Sequence, residues 1–141
     1  MSKYFFGIIA LLLFSCAESN KSIDEIQIET LVESSLSWNG DSLPPYPDGI
    51  PKVTILKVSI PPGANLKMHK HLVINAGVLI KGELTVISER GNTLKMKKGD
   101  PIIELVNTFH FGMNEGKETA EIVVVYAGDL ETPITVAKLE E

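Results

Sequence analysis

The stretch GANLKMHKHLVINAGVLIKG, Gly63 to Gly82, decides how this chain folds. Its centre is His69-Lys70-His71. In an extended strand, residues i and i+2 leave the backbone on the same face, so the two rings stand side by side. Two neutral imidazoles placed this way can grip one metal ion, with nitrogens about 2.1 Å from it. The sequence holds 3 histidines in all, and the third, His110, lies on a second strand-like segment. One metal site therefore accounts for every histidine in the chain. That makes a metal site a better reading than a pair of surface rings on a polar strand edge.

The spacing around these residues carries more. Five residues separate Gly63 from His69, one separates His69 from His71, three lead on to Asn75 and six more to Gly82. Further on, Gly99 is followed after five residues by Leu105, then by Asn107, His110 and Asn114 at intervals of one, two and three residues. The two blocks, in this order, resemble the two motifs of the cupin superfamily. The chain departs from the pattern in three places: Asn75 stands where glutamate is usual, and Leu105 and Asn107 stand where proline and glycine are usual. The resemblance implies an all-β fold, a double-stranded β-helix or jelly-roll barrel. It also implies a divalent transition metal held by His69, His71 and His110: zinc, copper or iron, with manganese or nickel also open. It does not fix a reaction, because one such fold serves enzymes, binders and storage proteins alike.

Working outward, Val53 to Ile60 reads as a strand that ends at Pro61-Pro62-Gly63. If the strand through the histidines is unbroken, His69, His71, Val73, Asn75 and Gly77 share parity, and Asn75 faces the metal. Lys81-Gly82 and Arg90-Gly91-Asn92 read as hairpin turns on either side of 83–89. Lys97-Lys98-Gly99-Asp100 is a further turn, after which Pro101 can begin a strand. Asn107 occupies a turn that calls for positive φ, which asparagine tolerates better than most residues. Ile122 to Tyr126 is a continuous apolar run that suits a buried strand. From Gly128 the chain reads as an edge strand and a frayed end. No long amphipathic helix, repeat or Gly-rich phosphate loop interrupts this series of short strands and turns.

Upstream, Ile26, Ile28, Thr30 and Val32 alternate and predict a strand, and Asn39-Gly40 predicts a turn after Trp38. The run from Leu43 to Pro51 is too rich in proline for a central strand or helix interior. It reads as a stiff loop, either a lid over the barrel mouth with Trp38 and Tyr46 as apolar walls or a packed connector. The organisation expected is a signal peptide over 1–15, a lipid attachment site and tether over 16–25, one barrel domain over 26–136 and a tail over 137–141.

The N-terminal reading rests on Lys3, the apolar run from Tyr4 to Phe14, and the ending Leu13-Phe14-Ser15-Cys16. The run is too short to cross a bilayer as a helix. Leucine three places before a cysteine, with a small residue just ahead of it, resembles a bacterial lipoprotein signal, which makes Cys16 the acylated residue. The sequence contains 1 cysteine, so no disulfide competes for it. The domain then belongs outside the cytoplasm, in the bacterial cell envelope. Cleavage before Cys16 removes Lys3 as the sole charge of residues 1–15, shifting the formal net charge from −5 to −6. The lipid, not surface charge, would hold such a body on an anionic membrane.

The same acidity argues against a nucleic-acid partner, and an aromatic content of 6% leaves little for stacking bases. Hydrolysis by a Ser-His-Asp arrangement would need a histidine free of metal duty, and none is spare. Three neutral histidines leave a divalent ion its full charge, and Asn75 cannot supply the usual carboxylate. Asn75 can still bind a hard ion, hydrogen-bond a metal-bound water, or serve as a structural amide. Either an anionic ligand completes the site, or Glu104 moves in across a turn at 105–108. Glu104 is also the candidate catalytic base. Two functions stay open: a metal-dependent enzyme, dioxygenase-like or isomerase-like, acting on a small anionic or oxygenated molecule, or a lipoprotein that binds or senses such a molecule without turnover. A homodimer is also open.

Overall fold

A computed structural model describes residues 25–139. The expectations for the signal peptide, for Cys16, for nearly all of the tether and for the last two residues lie outside that range. Strands form where the turn signals leave room for them: β1 (Pro51–Ile60), β2 (His69–His71), β3 (Ile74–Lys81), β4 (Glu83–Ser88), β5 (Thr93–Lys97), β6 (Pro101–Ile103), β7 (His110–Met113), β8 (Ala120–Asp129) and β9 (Thr135–Ala137). Among the described residues there is no helix. The strands make two antiparallel sheets, ordered β1-β8-β3-β6 and β5-β4-β7-β2-β9, which face each other as a jelly-roll barrel.

Alternation decides what fills the barrel. In β8, Ile122, Val124 and Tyr126 point inward, and in β3, Asn75, Gly77 and Leu79 do so opposite them. Leu79 and the three β8 residues join Ile60, Leu84, Val86 and Ile102 in one buried cluster. Each fully buried aliphatic side chain in it contributes about 1.5–3 kcal/mol.

Several local expectations hold. Asn107 has φ 59°, and Gly91 and Gly99 have positive φ in the turns assigned to them. The 97–100 turn leads into β6 at Pro101, and β9 is the outer strand of its sheet. The run 122–126 lies in β8, although Val125 is exposed on the outer side.

Three expectations are corrected. The strand through the histidines is broken at Leu72–Val73, because β2 pairs in one sheet and β3 in the other. The chain must change sheets there. For the same reason Lys81–Gly82 is not a hairpin turn: β3 pairs with β8 and β6, whereas β4 pairs with β5 and β7. It is a corner, and a Cβ on Gly82 would come within 2.9 Å of the Ala120 Cα. The alternating segment Ile26 to Val32 forms no strand and pairs with neither edge of the sheet it lies against. Instead Thr30, Leu31 and Val32 share a shallow apolar groove with residues on the outer faces of β3 and β8.

The proline-rich run is a loop, as expected, and the structure selects the packed connector over the lid. Pro44, Pro45 and Pro47 rest near Leu72, Val73 and Asn107, while Tyr46 is 73% exposed and walls nothing. Trp38 packs against the core, with its backbone N–H donating to the Ile103 carbonyl.

Candidate metal centre

His69 and His110 are brought together by pairing, since they are direct cross-strand partners between β2 and β7. His71 follows on the same face of β2. The ring centroids are 4.7 Å apart for His69–His110, 5.0 Å for His71–His110 and 5.1 Å for His69–His71. One nitrogen from each ring lies within 4.8 Å of the others.

The backbone decides which nitrogens these are. The Nδ1 of His69 is 2.7 Å from the Lys67 carbonyl, and that of His110 is 2.9 Å from the Thr108 carbonyl. The Nδ1 of His71 lies 3.1 Å from both the Ile134 carbonyl and the Thr135 hydroxyl. A carbonyl oxygen can only accept, so each Nδ1 carries the proton and donates it. Each Nε2 is then left with a lone pair for a ligand. Burial keeps two of the rings neutral, lowering His71 to about 3 and His110 to about 4. For His71, repulsion from His110 and His69 adds to the burial effect. Neutral, fixed imidazoles with inward lone pairs are what a divalent transition metal requires. The Nε2 of His110 is buried with no hydrogen-bond partner, which is costly unless something else occupies its lone pair. These residues fit a metal ion.

Glu104 follows β6 and joins the site. Its Oε2 is 3.5 Å from the His110 Nε2 and has no hydrogen-bond partner. The contact is not an ion pair, because burial drives both groups toward neutrality: Glu104 is raised to about 7, against a weaker pull from the Leu105 backbone N–H. The Glu104 backbone is held on both sides, its carbonyl accepting from the Ser37 hydroxyl and its N–H donating to the Asn75 carbonyl. Asn107 supports the same turn, its N–H donating to the His71 carbonyl at 2.8 Å.

Asn75 is buried on the inner side of β3, directly across from Tyr126. Its Nδ2 donates to the Val73 carbonyl at 3.2 Å, while its Oδ1 has no partner. It is not among the residues that line the cavity beside the histidines. That cavity measures about 90 Å³. Its polar groups are the three histidines, Glu104 and Tyr126, and aliphatic side chains such as Val58, Ile122 and Val124 make the rest of its wall. Two larger depressions, of about 600 and 720 Å³, open to solvent around Glu83, Lys97 and Glu115; they contain no histidine.

Sequence reading missed two members of the site. Tyr126 stacks edge-on against His71 with centroids 5.2 Å apart. Burial first, then the charge of Glu104, pushes its hydroxyl up to about 12, with a hydrogen bond to the Thr135 side chain acting the other way. Thr135 thus touches both His71 and Tyr126. Tyr126 could have been found by parity, since it shares a face with Ile122 and Val124. Thr135 follows a proline-interrupted stretch, and no pattern pointed to it.

A family model described as "Cupin domain" matches residues 56–126. No curated protein matches the chain. Among solved structures, it is similar to an oxalate oxidase in complex with the substrate analogue glycolate, at 25% identity and TM-score 0.51, over 60% of this chain and 45% of that one. It is also similar to the DMSP lyase DddQ from Ruegeria pomeroyi, at 21% identity and TM-score 0.54, over 61% and 43% of the two chains. A cupin-like protein from Thermotoga maritima aligns at 16% identity and TM-score 0.55, over 61% and 64%. The chain spans less than half the length of the oxidase and the lyase.

Proposed function

This chain belongs to the cupin family, and from that premise we propose that it is a lipid-anchored, metal-dependent enzyme of the cell envelope. Its substrate is a small anionic or oxygenated molecule, and its reaction is of the dioxygenase-like or isomerase-like kind. The observation that carries this reading is the convergence of three Nε2 lone pairs beside a buried, unpartnered carboxylate in one small cavity.

Bound there, a divalent metal supplies Lewis acidity or oxygen activation. The chain's own groups do the rest. His69, His71 and His110 hold the ion through nitrogens oriented by their backbone partners. Glu104, raised to about 7, is near half-protonated at neutral pH and can take or return a proton at Oε2. Tyr126 stays protonated at the same pH and can donate a hydrogen bond from its hydroxyl. The aliphatic wall excludes water and strengthens these interactions. A cavity of about 90 Å³ beside the histidines suits a small ligand. Glycolate, the two-carbon analogue bound by the similar oxalate oxidase, is of that size class.

The anchor belongs to the same reading. Lys3, the apolar run and Leu13-Phe14-Ser15-Cys16 support acylation at Cys16 and a domain held outside the cytoplasm. A chain exported unfolded meets its metal there, where nitrogen ligands favour zinc and copper over iron and manganese. The competing reading, a binder without turnover, is favoured by the scarcity of proton-transfer groups in the cavity: besides the metal ligands, only Glu104 and Tyr126 are present.

One experiment separates the two. The protein is purified from the envelope and its metal measured. It is then incubated, metal-loaded, with glycolate, oxalate and small keto acids under oxygen, with oxygen uptake and product formation followed. Turnover of any of them supports the enzyme; tight retention with no product supports the binder. Absence of stoichiometric metal overturns both.

A further inference from the structure

The cavity beside the histidines is not closed on every side. Of the residues lining it, only Leu66, Val58 and His69 are not buried, so these three mark its mouth. Leu66 is the most open of them, at 37% exposed. Glu104 and Tyr126 belong to the buried remainder. A ligand on its way to the histidines therefore enters past Leu66 and Val58.

A single exposed leucine normally needs no explanation. This one is folded down onto the inner face of β7. A Cβ on Gly112 would come within 3.4 Å of the Leu66 Cδ1 and within 3.3 Å of the Leu84 Cδ1. Gly112 shares that inner face with His110, about 7 Å along the strand. The leucine thus sits where a side chain on Gly112 would otherwise stand, two residues from a histidine of the centre. The backbone beneath it is pinned to β7 and its end. The Leu66 N–H donates to the Gly112 carbonyl at 2.8 Å, that of Gly63 to the Asn114 carbonyl at 2.8 Å, and that of Asn114 to the Ala64 carbonyl at 3.0 Å. Swinging the 61–68 turn aside would break these bonds, whereas turning the Leu66 side chain to another rotamer breaks none.

We infer that Leu66 is the gate of the cavity and decides which acids enter it: short, unbranched hydroxy or keto carboxylates pass, and acids branched next to the carboxyl do not. The inference rests on the metal-centre reading proposed above. Neither Leu66 nor Val58 carries a charge, so this rim selects by shape. The carboxylate end of a ligand binds beside His110, and the leucine tip bears on the atoms next to that end. In an apolar passage one extra carbon is worth about 10–200-fold in discrimination.

The test uses the full chain loaded with cobalt(II), whose visible absorption reports an anion joining the histidines. Two probes are titrated in, glycolate and 2-hydroxyisobutyrate, which share a carboxylate and a hydroxyl and differ by two methyl groups on the carbon between them. The wild type binds glycolate at least tenfold more tightly. Leu66→Ala removes most of that preference, chiefly by tightening 2-hydroxyisobutyrate, and moves glycolate less than threefold. Leu66→Met, close in volume, keeps the wild-type ratio, and thermal unfolding verifies that both variants fold. A wild type that binds cobalt and glycolate but shows the same ratio as Leu66→Ala overturns the gate alone. A protein that takes up no cobalt, or whose cobalt responds to neither acid, overturns the proposed centre and the gate with it.

Discussion

Glu104 and His110 meet across the turn between β6 and β7 with Oε2 and Nε2 3.5 Å apart, and neither atom has a hydrogen-bond partner. A separation of 3.5 Å is beyond a good hydrogen bond. Two buried polar atoms left in that condition are expensive, and a cation between or beside them relieves both. The pair is therefore where the metal-free and metal-bound proteins should differ most.

The first consequence is the pH dependence of stability in chelator-treated protein. His71 and His110 have folded-state values lowered from 6.5 to about 3 and about 4, so between pH 4.5 and 6.5 the unfolded chain binds two protons that the native chain does not. Their contribution is present above 6.5 and lost as the pH falls. Glu104 is raised from 4.5 to about 7, so over the same window the native chain keeps one proton that the unfolded chain releases. Its contribution is present below 4.5 and lost as the pH rises toward 7. The net difference is one proton, and stability should rise by about 1.4 kcal/mol per pH unit across the window. Glu104→Gln removes the opposing contribution and should roughly double that slope. Denaturant titrations at pH 5.0, 5.5 and 6.0 measure it; equal slopes in the two proteins would exclude a protonated, buried Glu104.

The second consequence is proton release on metal binding. At pH 6, Glu104 with a value of about 7 is mostly protonated, while His71 and His110 are already neutral. A divalent ion beside the carboxyl favours its charged form and should expel about one proton. Glu104→Gln should release about one proton fewer. Zinc titrations by calorimetry in two buffers of different ionisation enthalpy give the number directly. The same release makes zinc affinity fall as the pH drops below about 7.

The histidines were legible in the sequence because strand geometry turns a spacing of two into a shared face. Turn residues sit where the strands must end, which made a β-sandwich or barrel legible, and the resemblance of the two motifs narrowed it to a jelly roll. What the spacing could not show is which sheet a strand joins. Between His71 and Asn75 the parity argument assumes an unbroken strand, and the crossing at Leu72–Val73 breaks it. Ile26 to Val32 alternates like a strand, but a strand also needs an edge, and edges are set by distant residues. The Nδ1 partners are carbonyls of Lys67, Thr108 and Ile134, and a carbonyl has no letter of its own in the sequence.

Asn107 can be tested by substitution. Its φ of 59° is left-handed, and its N–H holds the His71 carbonyl at 2.8 Å. Asn107→Val should cost about 1–3 kcal/mol, because a β-branched residue is strained there. Zinc affinity should fall with it, since the carbonyl it fixes belongs to a ligand. Asn107→Gly should be mild in both measurements. Equal tolerance of valine and glycine in thermal unfolding and zinc titration would show that the turn does not orient His71.

Cys16 is tested chemically. If it carries the lipid, the mature protein begins at a diacylated or triacylated Cys16, and Cys16→Ala leaves an unprocessed precursor or a soluble product. Mass spectrometry of the mature N-terminus reads this directly. A mature chain starting at any unmodified residue other than Cys16 would end the lipoprotein assignment.

Asn75 poses the sharpest question about the site, because the residue is buried, inward-facing and still outside the lining of the cavity. Its Nδ2 bonds the Val73 carbonyl, which is what a structural amide does, yet its Oδ1 is left unpartnered, which a purely structural amide would avoid. Asn75→Glu lengthens the side chain by one methylene and adds a negative charge. If the position faces the ion, zinc should bind about tenfold more tightly, equivalent to about 1.4 kcal/mol. Glycolate binding to the zinc-loaded protein should weaken, because a second carboxylate besides Glu104 offsets the charge that attracts it. Packing the extra methylene should cost about 1–3 kcal/mol of stability in either case. Calorimetric titration of zinc and then glycolate into both proteins separates the outcomes. Loss of stability with both affinities unchanged would make Asn75 a structural residue and leave Glu104 as the carboxylate of the centre.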